Sequence, residues 1–299
     1  MSILVVGSIA YDSVETPFGK REDALGGSTL YFSSAASLFA PVHVVGVVGD
    51  DFREEDITFL KERRVNFDGM SKVPGKTFRW GGRYHQNMNI RDTLFTHLNV
   101  FEDFDPVLPE HYRKLDYLFL ANIHPALQLK VLDQMEKPRA VLLDTMNFWI
   151  SGAREALDEV IRKTDILIIN DEELAEYTGT DNLLDGLKYL RDRGPSTIVI
   201  KRGMYGALLY NNDSFFFAPA YPLPRVYDPT GAGDTFAGGF IGYLAEQNTL
   251  DDATLRKAVI YGSTTASFTV EDFSMDRLKK VGRREVDERW HHFKDMMRF

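Results

Sequence analysis

Short runs of apolar, largely β-branched residues alternate along the chain with longer segments that have helical periodicity. The apolar runs predict strands buried on both faces; they are Ile3–Ile9, Val42–Val48, Tyr117–Ala121, Ala140–Leu143, Ile166–Ile169 and Ile198–Ile200. The periodic segments predict helices at Ser28–Phe39, Glu54–Arg63, Ala126–Met135, Ala153–Arg162, Glu172–Tyr177 and Leu183–Arg191. Connected strand–helix–strand units imply a parallel sheet that helices cover on both faces. Ligands bind such sheets at the carboxyl ends of the strands.

Two segments interrupt this alternation. Tyr11–Leu25 and Asn66–Phe104 lack helical periodicity and contain strand-like and turn-rich pieces. We expect them to form a small second sheet that covers the strand ends as a lid; two ordinary long loops are the alternative. After Phe217 the chain is rich in proline and then helical almost to its end. Because no repeat or interdomain linker divides it, residues 1–299 are predicted to form a single α/β domain.

The chain is acidic, since 35 Lys and Arg against 44 Asp and Glu give a formal net charge of −9. This charge disfavours binding to nucleic acid or to an anionic membrane, and an anionic ligand has to be held by a local set of donors. The absence of cysteine excludes disulfides, thiolate nucleophiles and Cys-ligated zinc. No apolar run reaches the roughly 18 residues of a membrane span, so we expect a soluble, cytoplasmic protein.

Two common nucleotide-binding motifs are nearly but not fully matched. Gly75–Thr77 resembles the end of a P-loop, but the position that needs the partner glycine is Met70. Gly231–Gly233 begins like a dinucleotide-binding fingerprint, but its third glycine position is Phe236. A P-loop protein and a Rossmann oxidoreductase are therefore disfavoured.

The segment Asp228–Phe240 carries the most chemical information in the sequence. Gly231 and Gly233 allow a positive φ and a close approach of the backbone to a ligand. Their N–H groups, near the start of a predicted helix, make an anion site that adds no net charge. Gly238 and Gly239 lie inside that helix, where each costs about 1 kcal/mol relative to alanine. We therefore expect another element to pack closely against this turn of the helix.

Asp234 follows the glycine turn directly. A carboxylate beside an anion site would repel the ligand, so its presence needs a second explanation. Asp234 can accept the proton of a hydroxyl group that attacks a bound phosphoryl group. The alternative is that Asp234 only caps the helix, as aspartate commonly does.

Asp228–Asp234 resembles the second signature of the PfkB (ribokinase-like) family of carbohydrate and nucleoside kinases, which centres on a Gly-Ala-Gly-Asp turn. The resemblance extends in order along most of the chain. The other segments that resemble family motifs are the first strand with Gly7 and Asp12, the pair Gly26-Gly27, Asp144–Asn147 followed by Trp149, Asn170–Glu173, and Lys201–Gly206. One such fragment is a weak signal, but the ordered set is a strong one.

The resemblance implies a ribokinase-like, three-layer α/β/α sandwich with a mostly parallel central sheet and a small β lid. It also implies an ATP- and magnesium-dependent kinase that transfers the γ-phosphoryl group to a hydroxymethyl group of a sugar or nucleoside. Asp234 is then the general base, and the backbone of Gly231, Ala232 and Gly233 stabilises charge on the transferred group. The resemblance leaves the use of a monovalent cation open.

The same resemblance implies functions for further residues. Those implied to bind the acceptor are Asp12, Gly26, Gly27, Tyr31 and Asn147. Those implied to border the nucleotide are Asn170, Lys201, Gly203, Gly206 and Gly262, and Glu173 is associated with magnesium through its water shell. Local structure offers alternatives, because Asn170 and Glu173 can form a helix capping box and Lys201 can be a solvated lysine at a strand end.

Tyr31 is the departure from the family pattern that matters most, since the first signature expects asparagine at this position. A tyrosine has one hydroxyl group and an apolar ring, which argues against ribose or fructose phosphate and mildly favours a nucleoside or a cyclitol. The alternative function is a nucleotide-binding regulatory module without turnover, against which the presence of Asp234 counts. Exposed strands of the lid could pair between subunits, so a homodimer is the expected assembly.

Overall fold

The structure is a computed structural model that describes residues 1–298. Its strands are β1 (Ile3–Val6), β2 (Ala10–Thr16), β3 (Gly19–Gly26), β4 (Val42–Val48), β5 (Val65–Lys72), β6 (Phe78–Tyr84), β7 (Arg91–His97), β8 (Tyr117–Leu120), β9 (Ala140–Asp144), β10 (Ile166–Asn170), β11 (Thr197–Lys201), β12 (Ala207–Asn211) and β13 (Ser214–Ala218). Its α-helices are α1 (Ser28–Ala36), α2 (Thr58–Glu62), α3 (Pro125–Gln134), α4 (Asn147–Gly152), α5 (Arg154–Arg162), α6 (Asp171–Thr178), α7 (Leu183–Arg191), α8 (Ala232–Gln247), α9 (Asp252–Thr269) and α10 (Arg283–Met296).

Nine strands form the central sheet, in the order β13-β12-β11-β10-β9-β8-β1-β4-β5. Every neighbouring pair from β11 to β5 is parallel. Only β12 and β13, at one edge, run antiparallel to their neighbours. The predicted, mostly parallel sheet is confirmed, and the carboxyl ends of its parallel strands lie at one edge.

Helices cover the sheet on both faces because alternate side chains of each strand point to opposite sides. In β1, Ile3 and Val5 belong to a core that also contains buried residues of α1, α2, α8, α9 and α10. Leu4 and Val6 belong to a second core, formed with α3, α4, α5, α6 and α7. The sheet is therefore the middle layer of a three-layer α/β/α sandwich.

A small second sheet, in the order β3-β2-β6-β7, begins shortly after the carboxyl end of β1. The predicted lid segment Asn66–Phe104 begins too early, because its first residues belong to β5, which pairs in parallel with β4 in the central sheet. β5 is an edge strand whose side chains are largely half-buried or exposed. It therefore lacks the continuous apolar run by which the other central strands were identified.

The predicted boundaries differ from the structure in two other places. β1 ends at Val6 rather than Ile9, and the chain then enters the small sheet. The antiparallel hairpin of β12 and β13 was not predicted, although Asn212 and Asp213 both have positive φ values, 48° and 59°. Positive φ at both central residues is typical of a tight hairpin turn. Within residues 1–298, no helix combines the length and the apolar character that crossing a membrane requires.

Candidate active site

The glycine turn of Gly231–Gly233 leads into α8, with Gly231 at the N-cap position. Gly231 has a φ of +74°, a left-handed conformation that glycine adopts without a steric penalty. The N–H of Ala232 donates to the carbonyl oxygen of Pro229 at 3.2 Å. The N–H groups of Gly231 and Gly233 have no hydrogen-bond partner within the described residues. The turn therefore presents free donors at a helix N-terminus, an arrangement that suits an anion.

The two glycines inside α8 lie where neighbouring helices approach it. A Cβ atom at Gly238 would stand 2.3 Å from the carbonyl oxygen of Phe32 in α1. A Cβ atom at Gly239 would stand 2.1 Å from Thr265 Oγ1 in α9. The predicted close packing of this turn is confirmed, and two helices hold the start of α8 in place.

Asp234 is the third residue of α8 and is partly buried. Among residues 1–298 no side chain makes a capping hydrogen bond to α8, so the carboxylate of Asp234 is not a helix cap. Burial raises the pKa of Asp234 to about 7; the charge of Asp144 adds to the rise and Lys201 opposes it. A carboxyl group with such a pKa is present in both protonation states near neutral pH, which suits a proton acceptor.

Lys201, at the end of β11, lies beside the glycine turn. Its Nζ is 3.0 Å from each carboxylate oxygen of Asp144, at the end of β9. A Cβ atom at Gly233 would stand 3.2 Å from the same Nζ. The Lys201 and Asp144 side chains are only 18% and 6% exposed. The alternative that Lys201 is a solvated lysine was therefore wrong.

Asn170 ends β10, the strand between β9 and β11 in the sheet, and it is the N-cap of α6, in which Glu173 is the third residue. Asn170 Oδ1 accepts the N–H of Glu173 at 2.7 Å, and Glu173 Oε2 accepts the N–H of Asn170 at 2.9 Å. The predicted capping box is confirmed. Burial raises the pKa of Glu173 to about 7. The charge of Lys201 opposes this rise, and the charge of Asp144 adds to it.

The acidic side chains of the site bear on whether its residues fit a magnesium ion. No group of three or more His, Cys, Asp or Glu side chains in the described part of the chain could hold a metal ion. Glu173 Oε1 makes no hydrogen bond within residues 1–298. Mg²⁺ usually keeps several waters and binds through substrate phosphates with one or two carboxylates. The residues present fit that arrangement, with Glu173 as the carboxylate.

Asp12, in β2, lies against the glycine pair that leads into α1. A Cβ atom at Gly26 would stand 2.1 Å from Asp12 Oδ2, so only glycine leaves room for this carboxylate. Gly27 has a φ of +94°, and a Cβ atom there would stand 2.6 Å from the carbonyl oxygen of Ser8. Burial, followed by the charge of Asp228, raises the pKa of Asp12 to about 7. The charge of Asp234 also raises the pKa of Asp12, so the two carboxyl groups interact electrostatically.

Tyr31, in α1, is 1% exposed and lies behind the glycine turn. A Cβ atom at Gly231 would stand 2.3 Å from the nearest ring carbons of Tyr31. The hydroxyl oxygen of Tyr31 is buried and has no hydrogen-bond partner among residues 1–298. Its ring thus contacts the glycine turn closely, while burial, followed by the charges of Asp228 and Asp12, raises the pKa of its hydroxyl group.

The small sheet contributes side chains that no motif marks. Tyr84 Oη and Thr230 Oγ1 are 3.2 Å apart, which connects β6 to the residue before the glycine turn. Trp80 is the register partner of Asp12 in the parallel pair of β2 and β6, so both side chains share one face. The guanidinium carbon of Arg91 lies 5.1 Å from the ring centre of Trp80.

Gly203 and Gly206 border the turn between β11 and β12 and have φ values of +51° and +90°. A Cβ atom at Gly203 would stand 2.8 Å from Asn89 Oδ1, in the loop between β6 and β7. A Cβ atom at Gly206 would stand 2.0 Å from the carbonyl oxygen of Ala218. The loop of the small sheet thus reaches the turn after β11.

Two of the predicted site residues have no contact, within residues 1–298, with the glycine turn or with the carboxylates described above. Gly262 is buried in α9, where a Cβ atom would stand 2.9 Å from the carbonyl oxygen of Phe236 in α8. Close helix packing explains this glycine without a ligand. Asn147 is exposed at the start of α4, and within the described part of the chain its Oδ1 accepts only the N–H of Phe148.

Asp144 and Asp228 are buried in the site, and in the sequence they stand out only as parts of motifs. Asp228 Oδ1 and Oδ2 accept the N–H groups of Thr230 and Ser274, at 2.9 and 3.0 Å. Asp144 directly follows the predicted strand Ala140–Leu143. The rule that ligands bind at the carboxyl ends of parallel strands could therefore have identified Asp144.

Comparisons with known proteins agree with this geometry. A model of the pfkB family carbohydrate kinases matches residues 11–277. A cytidine kinase from Thermococcus kodakarensis is 29% identical over 259 residues, which are 84% of this chain and 91% of that protein. The family match includes both Asp12 and the glycine turn with Asp234, so the predicted resemblance is confirmed.

Two solved structures share the fold. The aminoimidazole riboside kinase from Salmonella enterica, complexed with aminoimidazole riboside and an ATP analog, has a TM-score of 0.78 and 20% identity, and the match covers 97% of this chain and 100% of that chain. A putative ribokinase II from E. coli in complex with ATP and Mg²⁺ has a TM-score of 0.78 and 18% identity, covering 99% of each chain. The predicted ribokinase-like sandwich is confirmed.

The family match and the kinase relatives identify an ATP-dependent phosphotransferase that acts on a sugar or a nucleoside. The free amides at the start of α8 and the carboxylates at the strand ends fit that activity. The chain belongs to the PfkB family of carbohydrate kinases.

Proposed function

We propose that this protein transfers the γ-phosphoryl group of ATP to a hydroxymethyl group of a nucleoside, with Asp234 as the general base. One observation carries the proposal. The free N–H groups of Gly231 and Gly233 and the carboxyl group of Asp234 lie together at the first turn of α8. Donors for a phosphoryl group and an acceptor for a proton thus share one helix N-terminus.

In the proposed reaction the hydroxyl oxygen of the acceptor attacks the γ-phosphorus, and Asp234 takes the hydroxyl proton. The bond from the γ-phosphorus to the β–γ bridging oxygen breaks, and ADP leaves with its electron pair. The amides of Gly231 and Gly233 stabilise charge on the transferred group. Because the transition state is loose, positioning contributes more than the basicity of the carboxylate. Magnesium supplies charge neutralisation at the phosphates when bound, and Glu173 is the residue proposed to meet its water shell.

A nucleoside is proposed as the acceptor because three observations favour it. The match to the cytidine kinase covers 84% of this chain. Asp12, held beside Gly26 and Gly27, can accept hydrogen bonds from two neighbouring sugar hydroxyl groups. Trp80 shares a face of the small sheet with Asp12 and supplies an aromatic surface on which a base can stack.

The test is an ADP-release assay with ATP, Mg²⁺ and a panel of pentoses, hexoses, inositols and nucleosides, followed by ³¹P NMR of the product. We expect the highest kcat/KM with a nucleoside, cytidine among them, and the new phosphate on its hydroxymethyl group. A sugar or an inositol that gives a higher kcat/KM than every nucleoside would refute the proposed acceptor. Thermal stabilisation by ATP without ADP release from any acceptor would favour a nucleotide-binding module instead.

A further inference from the structure

We propose that Lys201 is a further catalytic residue, which binds the terminal phosphate of ATP, and that Asp144 is its positioning residue. This inference rests on the proposed function, because it takes the glycine turn as the site of the terminal phosphate. Three observations support it. They are the short distance from Lys201 to the turn, the hydrogen-bond donor of Lys201 that remains unused, and the negative charge of the acidic side chains around Lys201.

The first observation is one of placement. β9, β10 and β11 are neighbours in the sheet and end at the same edge, with Asp144 at the end of β9 and Lys201 at the end of β11. The lysine side chain crosses the end of β10 to reach Asp144. There its Nζ lies 3.2 Å from the position of a Cβ atom on Gly233. Because Gly233 has no side chain, nothing at residue 233 separates the ammonium group from an anion on the turn.

The second observation concerns hydrogen bonds. An ammonium group has three donors and no acceptor. Within residues 1–298, Lys201 Nζ makes hydrogen bonds to the two carboxylate oxygens of Asp144 and to no other atom. One of the three donors of this nearly buried ammonium group is therefore left over, and the group lies beside the glycine turn. A phosphate oxygen would satisfy it while the contact with Asp144 is kept.

The third observation is the charge of the site. Asp144, Glu173 and Asp234 all interact electrostatically with Lys201. Three acidic groups around the terminal phosphate would oppose its binding, and the ammonium group offsets that repulsion. A buried lysine without a partner is costly, so Asp144 also keeps the ammonium group in place before ATP binds.

The competing explanation is that the ion pair only braces β9 against β11. Nucleotide binding distinguishes the two, because only a contact with the terminal phosphate separates ATP from ADP. The test uses isothermal titration calorimetry with Mg²⁺ and either a non-hydrolysable ATP analogue or ADP. The variants are Lys201→Met, Asp144→Asn and the double variant. Lys130→Met is the control, because Lys130 is an exposed lysine paired with Asp105.

We expect Lys201→Met to weaken binding of the ATP analogue by about 10–100-fold, the size of a hydrogen bond to a charged group, and ADP binding by less than threefold. Lys130→Met should change neither affinity. The double variant, which buries no unpaired charge, repeats the measurement if Lys201→Met fails to fold. Equal losses for both nucleotides, or no loss, would overturn the assignment of Lys201.

Asp144→Asn separates position from charge. Removing a negative charge near a phosphate should strengthen binding of the ATP analogue if Asp144 acts by its charge alone. A positioning residue predicts the opposite, about a threefold to tenfold weaker binding of the analogue with ADP unaffected, and no further loss in the double variant beyond that of Lys201→Met. Unchanged or stronger binding would overturn the assignment of Asp144. If the unmodified protein bound neither nucleotide, the proposed function itself would fail; normal binding with undifferentiated losses would refute only this inference.

Discussion

The ring of Tyr31 lies so close to Gly231 that a Cβ atom at residue 231 would stand 2.3 Å from the ring carbons. The left-handed φ of +74° at Gly231 excludes most other residues on its own. The ring and the backbone conformation thus both require glycine at the position where the free amides begin. The ring of Tyr31 supports the turn from behind. An asparagine at this position would be shorter and would have no ring to do so.

Variants of Tyr31 separate this support from contact with the acceptor. Tyr31→Phe removes a buried hydroxyl group that has no partner, so kcat and the KM for the acceptor should change by less than about twofold. Tyr31→Ala leaves a cavity behind Gly231 and should lower the free energy of unfolding by about 3–5 kcal/mol, with a lower kcat. Urea unfolding and steady-state kinetics measure both effects. A large rise in the KM of Tyr31→Phe would show instead that the hydroxyl group touches the acceptor.

Asp234→Asn removes the proposed proton acceptor and keeps the size of the side chain. We expect kcat to fall by about 10²–10⁴-fold, the usual contribution of a general base, while ATP affinity changes little. Asp251→Asn is a matched control, because Asp251 caps α9 by accepting the N–H of Thr254, besides the hydroxyl group of Thr249, and asparagine caps equally well. Near-normal turnover of Asp234→Asn would exclude Asp234 as the base.

The pH dependence of turnover follows from the pKa of Asp234, which burial raises to about 7. A general base must be deprotonated, so kcat/KM for the acceptor should rise with pH and level off above about 7. The profile from pH 5 to 9 reports the free enzyme. A rate that stays constant down to pH 5 would contradict this assignment.

The stability of the unliganded protein should fall as pH rises. Burial raises the pKa values of Asp12, Glu173 and Asp234 to about 7, well above those of the unfolded chain. Between about pH 4 and 7 the folded state therefore binds more protons, and the free energy of unfolding decreases with increasing pH. Urea unfolding at pH 5 and pH 8 tests this, and Asp12→Asn should reduce the difference. Greater stability at pH 8 would contradict the prediction.

Glu173→Gln tests magnesium binding apart from helix capping. A glutamine oxygen can still accept the N–H of Asn170, so the free energy of unfolding should not fall. Loss of the carboxylate should raise the Mg²⁺ concentration that gives half-maximal activity by about tenfold. An unchanged magnesium requirement would leave Glu173 with the capping function alone.

Local patterns in the sequence predicted much of the fold and part of the site. Strands buried on both faces must be apolar throughout, which makes Val42–Val48 and Ile166–Ile169 recognisable from sequence. The capping box of Asn170 and Glu173 was predicted for a similar reason, because its partners are three residues apart. The edge strand β5 was not predicted, because many of its side chains are exposed to solvent and its composition is therefore mixed.

The sequence by itself determined the alternating α/β pattern, the glycines at the start of α8 and the acidic residue that follows them. Only the tertiary structure decided that β5 joins the central sheet, that Tyr31 lies behind Gly231, and that Lys201 meets Asp144. Lys201 and Asp144 are 57 residues apart, and they meet because β9, β10 and β11 are adjacent and parallel. The periodicity of apolar residues within one segment predicts which side of that segment is buried. It does not predict which distant segment packs against that side.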